Sequence, residues 1–305
     1  MDNILSSILT VSFIFIVIRV GVPLLFASMS AYTASLSGVP NIAVEGIMIF
    51  GALFGVYVSA ITGSAWLGLV GVVAVGALCA LILAFFTMKM KANAAMSGIG
   101  LNLFAADFSL YLLLIWTGSK GTTATLPSKV LPIIHIPFIK DIPVLGEIIS
   151  GHYFLTYVCI AMAILIYILV YKTPFGLHMR ACGLDPHAAE SVGIKVNRVR
   201  LISIVLSGIL AAMGGAYLSM GYMSIFSSNM TASRGWIGIA ANAVGQGNFL
   251  VVVATTIIFA IAQGIVNRLA LASLPPDLIN TIPYICVLFG LIFLSVKENL
   301  KNKAK

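Results

Sequence analysis

The chain has 305 residues, of which 60% are hydrophobic and only 9% charged, and a mean hydropathy of +1.10. A soluble domain, with about a quarter of its residues charged, is excluded. The net charge of +8 gathers at the ends of apolar runs, which suits orientation in a membrane and excludes a nucleic-acid-binding face.

Nine apolar stretches follow in chain order: Ile4 to Tyr32, Ile42 to Ala60, Ala65 to Met88, Met96 to Trp116, Tyr153 to Tyr171, Leu201 to Tyr222, Trp236 to Val244, Phe249 to Val266 and Leu278 to Val296. Crossing about 30 Å of hydrocarbon takes about 20 helical residues, so the seventh is too short to span alone. Period-two alternation is lacking, and barrel strands are not expected. The expected fold is all-α, a polytopic membrane bundle of about 8–10 transmembrane helices, with residues 1–305 forming one transmembrane domain. Met1-Asp2-Asn3 lacks the basic start of a signal peptide, and the first run reads as a retained membrane segment. Cys79, Cys159 and Cys286 fall inside apolar runs and Cys182 in a basic loop, so no disulfide framework is expected.

Residues 172–200 hold five of the 17 Lys and Arg residues, marking a cytoplasmic loop. With that assignment, eleven basic residues share one side, including Lys89, Lys91 and the tail lysines at 297, 301, 303 and 305. Five lie opposite: Lys120, Lys129, Lys140, Arg234 and Arg268. The expected C-terminus is therefore cytoplasmic. Within the loop, Thr173-Pro174 and Asp185-Pro186 each place a side-chain cap before a first-turn proline, and Gly183 and Gly193 follow as expected left-handed stops. Two short surface helices are predicted, shaped for a partner protein to grip. Residues 117–151, broken by Pro127, Pro132, Pro137 and Pro143, form an external loop that covers helix ends or receives a delivery protein.

Runs one and six are each followed by a polar linker and a glycine-broken segment, containing Gly46, Gly51 and Gly55 in one case and Gly235, Gly238, Gly245 and Gly247 in the other. Two copies of opposite orientation would result, an inverted repeat of the kind found in transporters. No G-x-x-x-x-G-K-[ST] phosphate loop occurs, so an energy source, if ATP, must sit on another subunit.

Two stretches carry a family resemblance. Ser37-Gly38-Val39-Pro40-Asn41-Ile42-Ala43-Val44-Glu45-Gly46, followed by Gly51-Ala52, resembles a signature of permease subunits of bacterial ABC importers, in the branch serving nucleosides, simple sugars and branched-chain amino acids. Lys172-Thr173-Pro174-Phe175-Gly176 through Arg180-Ala181-Cys182-Gly183 to Val192-Gly193-Ile194 resembles that family's cytoplasmic coupling region. The resemblance implies a type II importer-like bundle in the bacterial inner membrane, with nucleosides as the expected cargo because Asn41 and Glu45 match the nucleoside-type form. Asn242 and Gln246 depart from the more apolar segment of relatives. It further implies ABC ATPase subunits that bind ATP and Mg, with no cofactor in this chain. A second permease, identical or related, and an extracytoplasmic binding protein or lipoprotein complete the expected partners. The expected ATPase-coupling residues are Pro174, Phe175, Gly176, Met179, Arg180, Gly183, Asp185, Ala188, Glu190 and Gly193.

Polar groups within apolar runs are costly unless they pair or face a polar cavity, which makes Asn41, Glu45, Asn102, Asp107, Asn242 and Gln246 candidates for the substrate pathway. Each has a rival role. Asn41 and Glu45, one turn apart, could cap their own helix; Asp107 could pair with Arg19; the amides of Asn242, Gln246, Gln263 and Asn267 could join helices. His135, His152, His178 and His187 are scattered, and no metal site is expected. Rival functions are import of ribose, galactose or branched-chain amino acids, and ion-coupled secondary transport with Asp107 and Glu45 as coupling carboxylates. An intramembrane enzyme lacks a nucleophile-base pair at workable spacing.

Overall fold

The computed structural model describes residues 11–119, 121–135, 150–223 and 225–269. The ninth apolar run, the tail lysines, Cys286, Lys120 and Lys140 lie outside the described residues. Ten helices are described: α1 (Val11–Leu36), α2 (Val44–Thr62), α3 (Ala65–Ala84), α4 (Ala94–Thr117), α5 (Phe154–Lys172), α6 (Pro174–Leu184), α7 (Pro186–Ser191), α8 (Val196–Ala216), α9 (Arg234–Gly245) and α10 (Phe249–Leu269). Helices α3 and α8 run on through π-helical turns at Phe85–Lys89 and Tyr217–Tyr222. Seven of the described helices are long and apolar enough to cross a membrane: α1 to α5, α8 and α10. The chain is a multi-pass membrane protein. Helix α9, with 12 residues, covers only about 18 Å.

Helix α8 is the hub, packed against α1, α2 and α3. Its small residues permit this. A side chain at Gly215 would run into the Met48 carbonyl of α2, and one at Gly208 into the Gly76 carbonyl of α3. In lipid, where burial of apolar surface gives no net drive between helices, such close backbone approach supplies the van der Waals contact that holds spans together. By contrast, only 28% of the spanning window is buried in α4 and in α5, so these two helices present broad faces to their surroundings.

After α1 the chain doubles back. Gly38 adopts φ +84°, and the extended Val39 to Ile42 stretch returns alongside α1 and α8. Ser30 of α1 and Asn41 both hydrogen-bond the Ser207 hydroxyl at 2.9 Å, so Asn41 sits well over a turn back from the end of α1. Helix α2 therefore starts inside the bundle rather than at its edge.

Ile133–Ile134 (β1) and His152–Tyr153 (β2) pair antiparallel, a two-residue ladder in the connection between α4 and α5. That loop is stitched to the bundle: the Ser59 hydroxyl donates to the Lys129 carbonyl (2.8 Å), and the Leu131 amide donates to the Met220 carbonyl (3.0 Å).

Candidate functional site

The α6–α7 end of the bundle is built from local signals. The Thr173 hydroxyl accepts the Gly176 amide at 3.3 Å and Asp185 accepts the amides of His187 (2.9 Å) and Ala188 (3.1 Å), with Pro174 and Pro186 at the first helical positions. Helices α6 and α7 are thereby started without fraying. Gly193 ends the second one at φ +87°. Gly183 does not act as a stop: α6 continues through Leu184, and Gly183 instead lets α6 press against the Leu36 carbonyl at the end of α1.

Met179, Cys182, Ala189, Val196 and Val199 form a small core beneath the two helices. Arg200 locks this assembly, donating from Nε to the Ser37 carbonyl (3.2 Å) and from Nη2 to the Cys182 carbonyl (3.4 Å). Burial pushes the Cys182 thiol above the usual cysteine range, against the nearby Arg200 charge. Of the expected coupling residues, Gly176 and Met179 are buried, Phe175 and Arg180 half-buried, and Pro174, Gly183, Asp185, Ala188, Glu190 and Gly193 exposed. Three apolar side chains that sequence reasoning passed over stand out on this surface: Leu184 is 88% exposed, Val192 74% and Leu177 59%. Leu184 and Val192 mark the ends of α6 and α7, a position that gave them a signal, whereas Leu177 lies within α6.

Helix α6 lies close to the short helix α9. A cleft of about 460 Å³ lies between them, lined by Ser35, Arg180, Gly183, Asn242, Gln246 and Gly247 among others. Asn242 Nδ2 donates to the Ser35 hydroxyl at 3.0 Å. Tyr32 donates its hydroxyl to the Gly247 carbonyl (3.2 Å), and the Phe249 amide donates to the Tyr171 hydroxyl (3.1 Å), so the α9–α10 turn hangs from two tyrosines. The Arg180 guanidinium lies 5.7 Å from the Tyr171 ring centroid. Arg180 and Gly183, expected for ATPase coupling, and Asn242 and Gln246, expected for the substrate pathway, thus line one cleft.

Asn41, Glu45 and Asn102 are also brought together, but as a buried junction. Asn41 accepts the Ala43 amide at 2.9 Å, while Asn102 of α4 accepts the Gly46 amide (2.7 Å) and donates to the Ile42 carbonyl (2.8 Å). The first turn of α2 is capped partly from another helix. Glu45 does not serve its own helix either: its two oxygens accept the Ser233 amide (3.0 Å) and the Gly235 amide (2.6 Å), at the start of α9. A carboxylate at a helix N-terminus satisfies orphan amides and meets the positive end of the dipole. The first turn of α2 thus holds the start of α9, and both helices run unbroken through glycines expected to interrupt them. Asp107 does not meet Arg19. It lies exposed on α4, whereas Arg19 of α1 donates to the Tyr153 hydroxyl at 3.2 Å. Gln263 is half-buried on α10 and Asn267 exposed one turn on.

Residues 13–296 match the family model described as the branched-chain amino acid transport system permease component. The chain belongs to this permease family. It is 31% identical over 280 residues to the guanosine ABC transporter permease protein NupQ of Bacillus subtilis, covering 88% of this chain and 87% of that one. To the nucleoside ABC transporter permease protein NupC of Lactococcus lactis it is 28% identical, covering 86% of each. Among solved structures, the PsaBC complex of Streptococcus pneumoniae with Fab matches with a TM-score of 0.56 at 13% identity, covering 95% of this chain and 94% of that one, a likeness of fold.

Proposed function

We propose that this permease carries nucleosides inward across the bacterial plasma membrane, driven by ATPase subunits that seat on α6 and α7. The observation that carries the coupling role is the exposure of Leu184 and Val192 at the ends of two capped helices. Large apolar side chains held out into water from a rigid frame mark a protein-docking surface. ATP and Mg would be bound by the ATPase, and this chain would transmit its motion as a rigid body through Arg180, Tyr171 and the α9–α10 turn. A second permease chain would close the other side of the path, and a binding protein would deliver cargo to the outer loop. With α6 and α7 cytoplasmic, α1 ends on the inner side and the C-terminus falls there too.

Nucleoside cargo is supported by the two nucleoside-type relatives and by a polar inventory dominated by amides and hydroxyls. Asn242, Gln246 and Ser35 can exchange hydrogen bonds with sugar hydroxyls and base edges without demanding a charge on the ligand. Uptake of labelled inosine, cytidine, ribose and leucine by a strain deleted for this gene and its complemented parent tests the reading. Restoration of inosine and cytidine uptake alone is expected; restoration of ribose or leucine uptake alone contradicts it.

A further inference from the structure

Helix α4 presents a face that lipid cannot explain. Its buried side is formed by Gly98, Leu101, Asn102, Ala105, Ser109 and Leu113, which pack toward α2. At 100° per residue, Asp107 falls opposite that stripe, at the centre of the exposed face and near the middle of a 24-residue span. Among the described residues no hydrogen bond or ion pair meets its carboxylate. A lone carboxylate at that depth is costly against hydrocarbon and is found where a helix borders water or a polar partner.

Beside Asp107 runs a file of aromatic rings. Phe104 and Phe108 stack at 4.9 Å, Phe108 and Tyr111 at 6.0 Å, and Phe50 of α2 meets Phe104 edge-on at 6.0 Å. Toward the outer end, Trp116 stacks on Tyr57 at 3.4 Å. Phe104 and Tyr111 remain 53% and 57% exposed, so their rings are offered outward on either side of Asp107 along the helix. Apolar packing alone would be satisfied by aliphatic side chains, as on the exposed face of α5 with Ile160, Ile164 and Ile168. Leu103 and Leu114 are exposed on the other flank of Asp107, so flat π-faces along one side of an accepting group suit a planar, hydrogen-bond-donating heterocycle.

We propose that this face of α4 lines the translocation path, with Phe104 and Tyr111 as stacking platforms for the nucleobase and Asp107 accepting its N–H or sugar O–H hydrogens. The proposal rests on the nucleoside reading and assigns it a contact surface distinct from the cytoplasmic cleft. Aromatic stacking is sequence-tolerant, because every base has a π-face, so a path of this kind would pass purine and pyrimidine nucleosides alike.

The test uses cells carrying the complete transporter. Phe104→Leu and Tyr111→Leu keep the apolar bulk but remove the ring, and uptake of labelled guanosine at low concentration is expected to fall by about fivefold to a hundredfold. Asp107→Cys is expected to react with a charged, water-soluble methanethiosulfonate, read at the peptide level and slowed by guanosine, while Ile164→Cys on α5 stays unmodified. If guanosine uptake is normal in both Leu variants, or Asp107→Cys is as inert as Ile164→Cys, the proposal is overturned. Labelling of Asp107→Cys that guanosine leaves unchanged, together with a disulfide between two copies at that position, overturns it in favour of a permease–permease contact. A parent transporter that imports no nucleoside overturns the nucleoside reading itself, and the stacking role with it.

Discussion

Glu45 shows how much a single side chain can organise. Its carboxylate is buried, accepts two amides at the start of α9, and sits where Gly235 leaves no room for a Cβ. Hydrogen bonds to a charged group contribute about 1.5–3 kcal/mol, and deleting the acceptor strands two buried donors. Glu45→Ala is therefore expected to lower stability by about 2–3 kcal/mol, seen as an earlier thermal transition of the detergent-purified chain, with Glu45→Gln recovering part of the loss. An unchanged transition in Glu45→Ala would show that the junction carries no weight. Sequence reasoning flagged Glu45 because an ionisable group in an apolar run needs a reason, yet its partners lie far along the chain and no local pattern points to them. Cys182 allows a second residue-scale test. Only the thiolate is nucleophilic, and a raised pKa leaves less of it at any given pH. Maleimide added to membranes at pH 7 to 8 is expected to leave Cys182 unmodified and to label it after denaturation.

At the scale of elements, α6 and α7 were legible because their signals are local. A Thr or Asp before a proline caps a helix by bonds within three residues, and the structure shows those bonds at Thr173 and Asp185. What depends on rotational phase was not legible. Met179 looked like a surface position of a gripped helix, yet it is fully buried, while Leu184 and Val192 point outward. The same blindness made Asp107 and Arg19 candidates for a pair, when they sit on separate helices facing different neighbours. Gly183 was misread because glycine serves both as a left-handed stop and as a site of close approach, and only packing separates the two. The phase yields a contrast. Leu184→Glu is expected to leave insertion and stability intact while ATPase subunits no longer copurify; Met179→Glu is expected to destabilise the fold by putting a charge into the core beneath the helices. Equal copurification of ATPase with Leu184→Glu and the parent would remove α6 as the docking surface.

For the whole molecule, the arrangement is a bundle centred on α8, in which the starts of α2 and α9, from different parts of the chain, meet at Glu45. Composition and hydropathy made the bundle readable, since lipid tolerates little besides apolar helices. The return of the chain after Gly38, which starts α2 inside the bundle, left no hydropathy signal and rests on hydrogen bonds to Ser207. Because α6, the two tyrosines and α9 are joined in series, the proposed coupling predicts that cargo moves only when a partner ATPase hydrolyses ATP. The decisive measurement is labelled guanosine uptake into proteoliposomes holding either the complete transporter or this chain alone, with ATP or with a proton or sodium gradient. Uptake only with the complete transporter and ATP is predicted; accumulation by this chain alone under an ion gradient, without ATP, would contradict it.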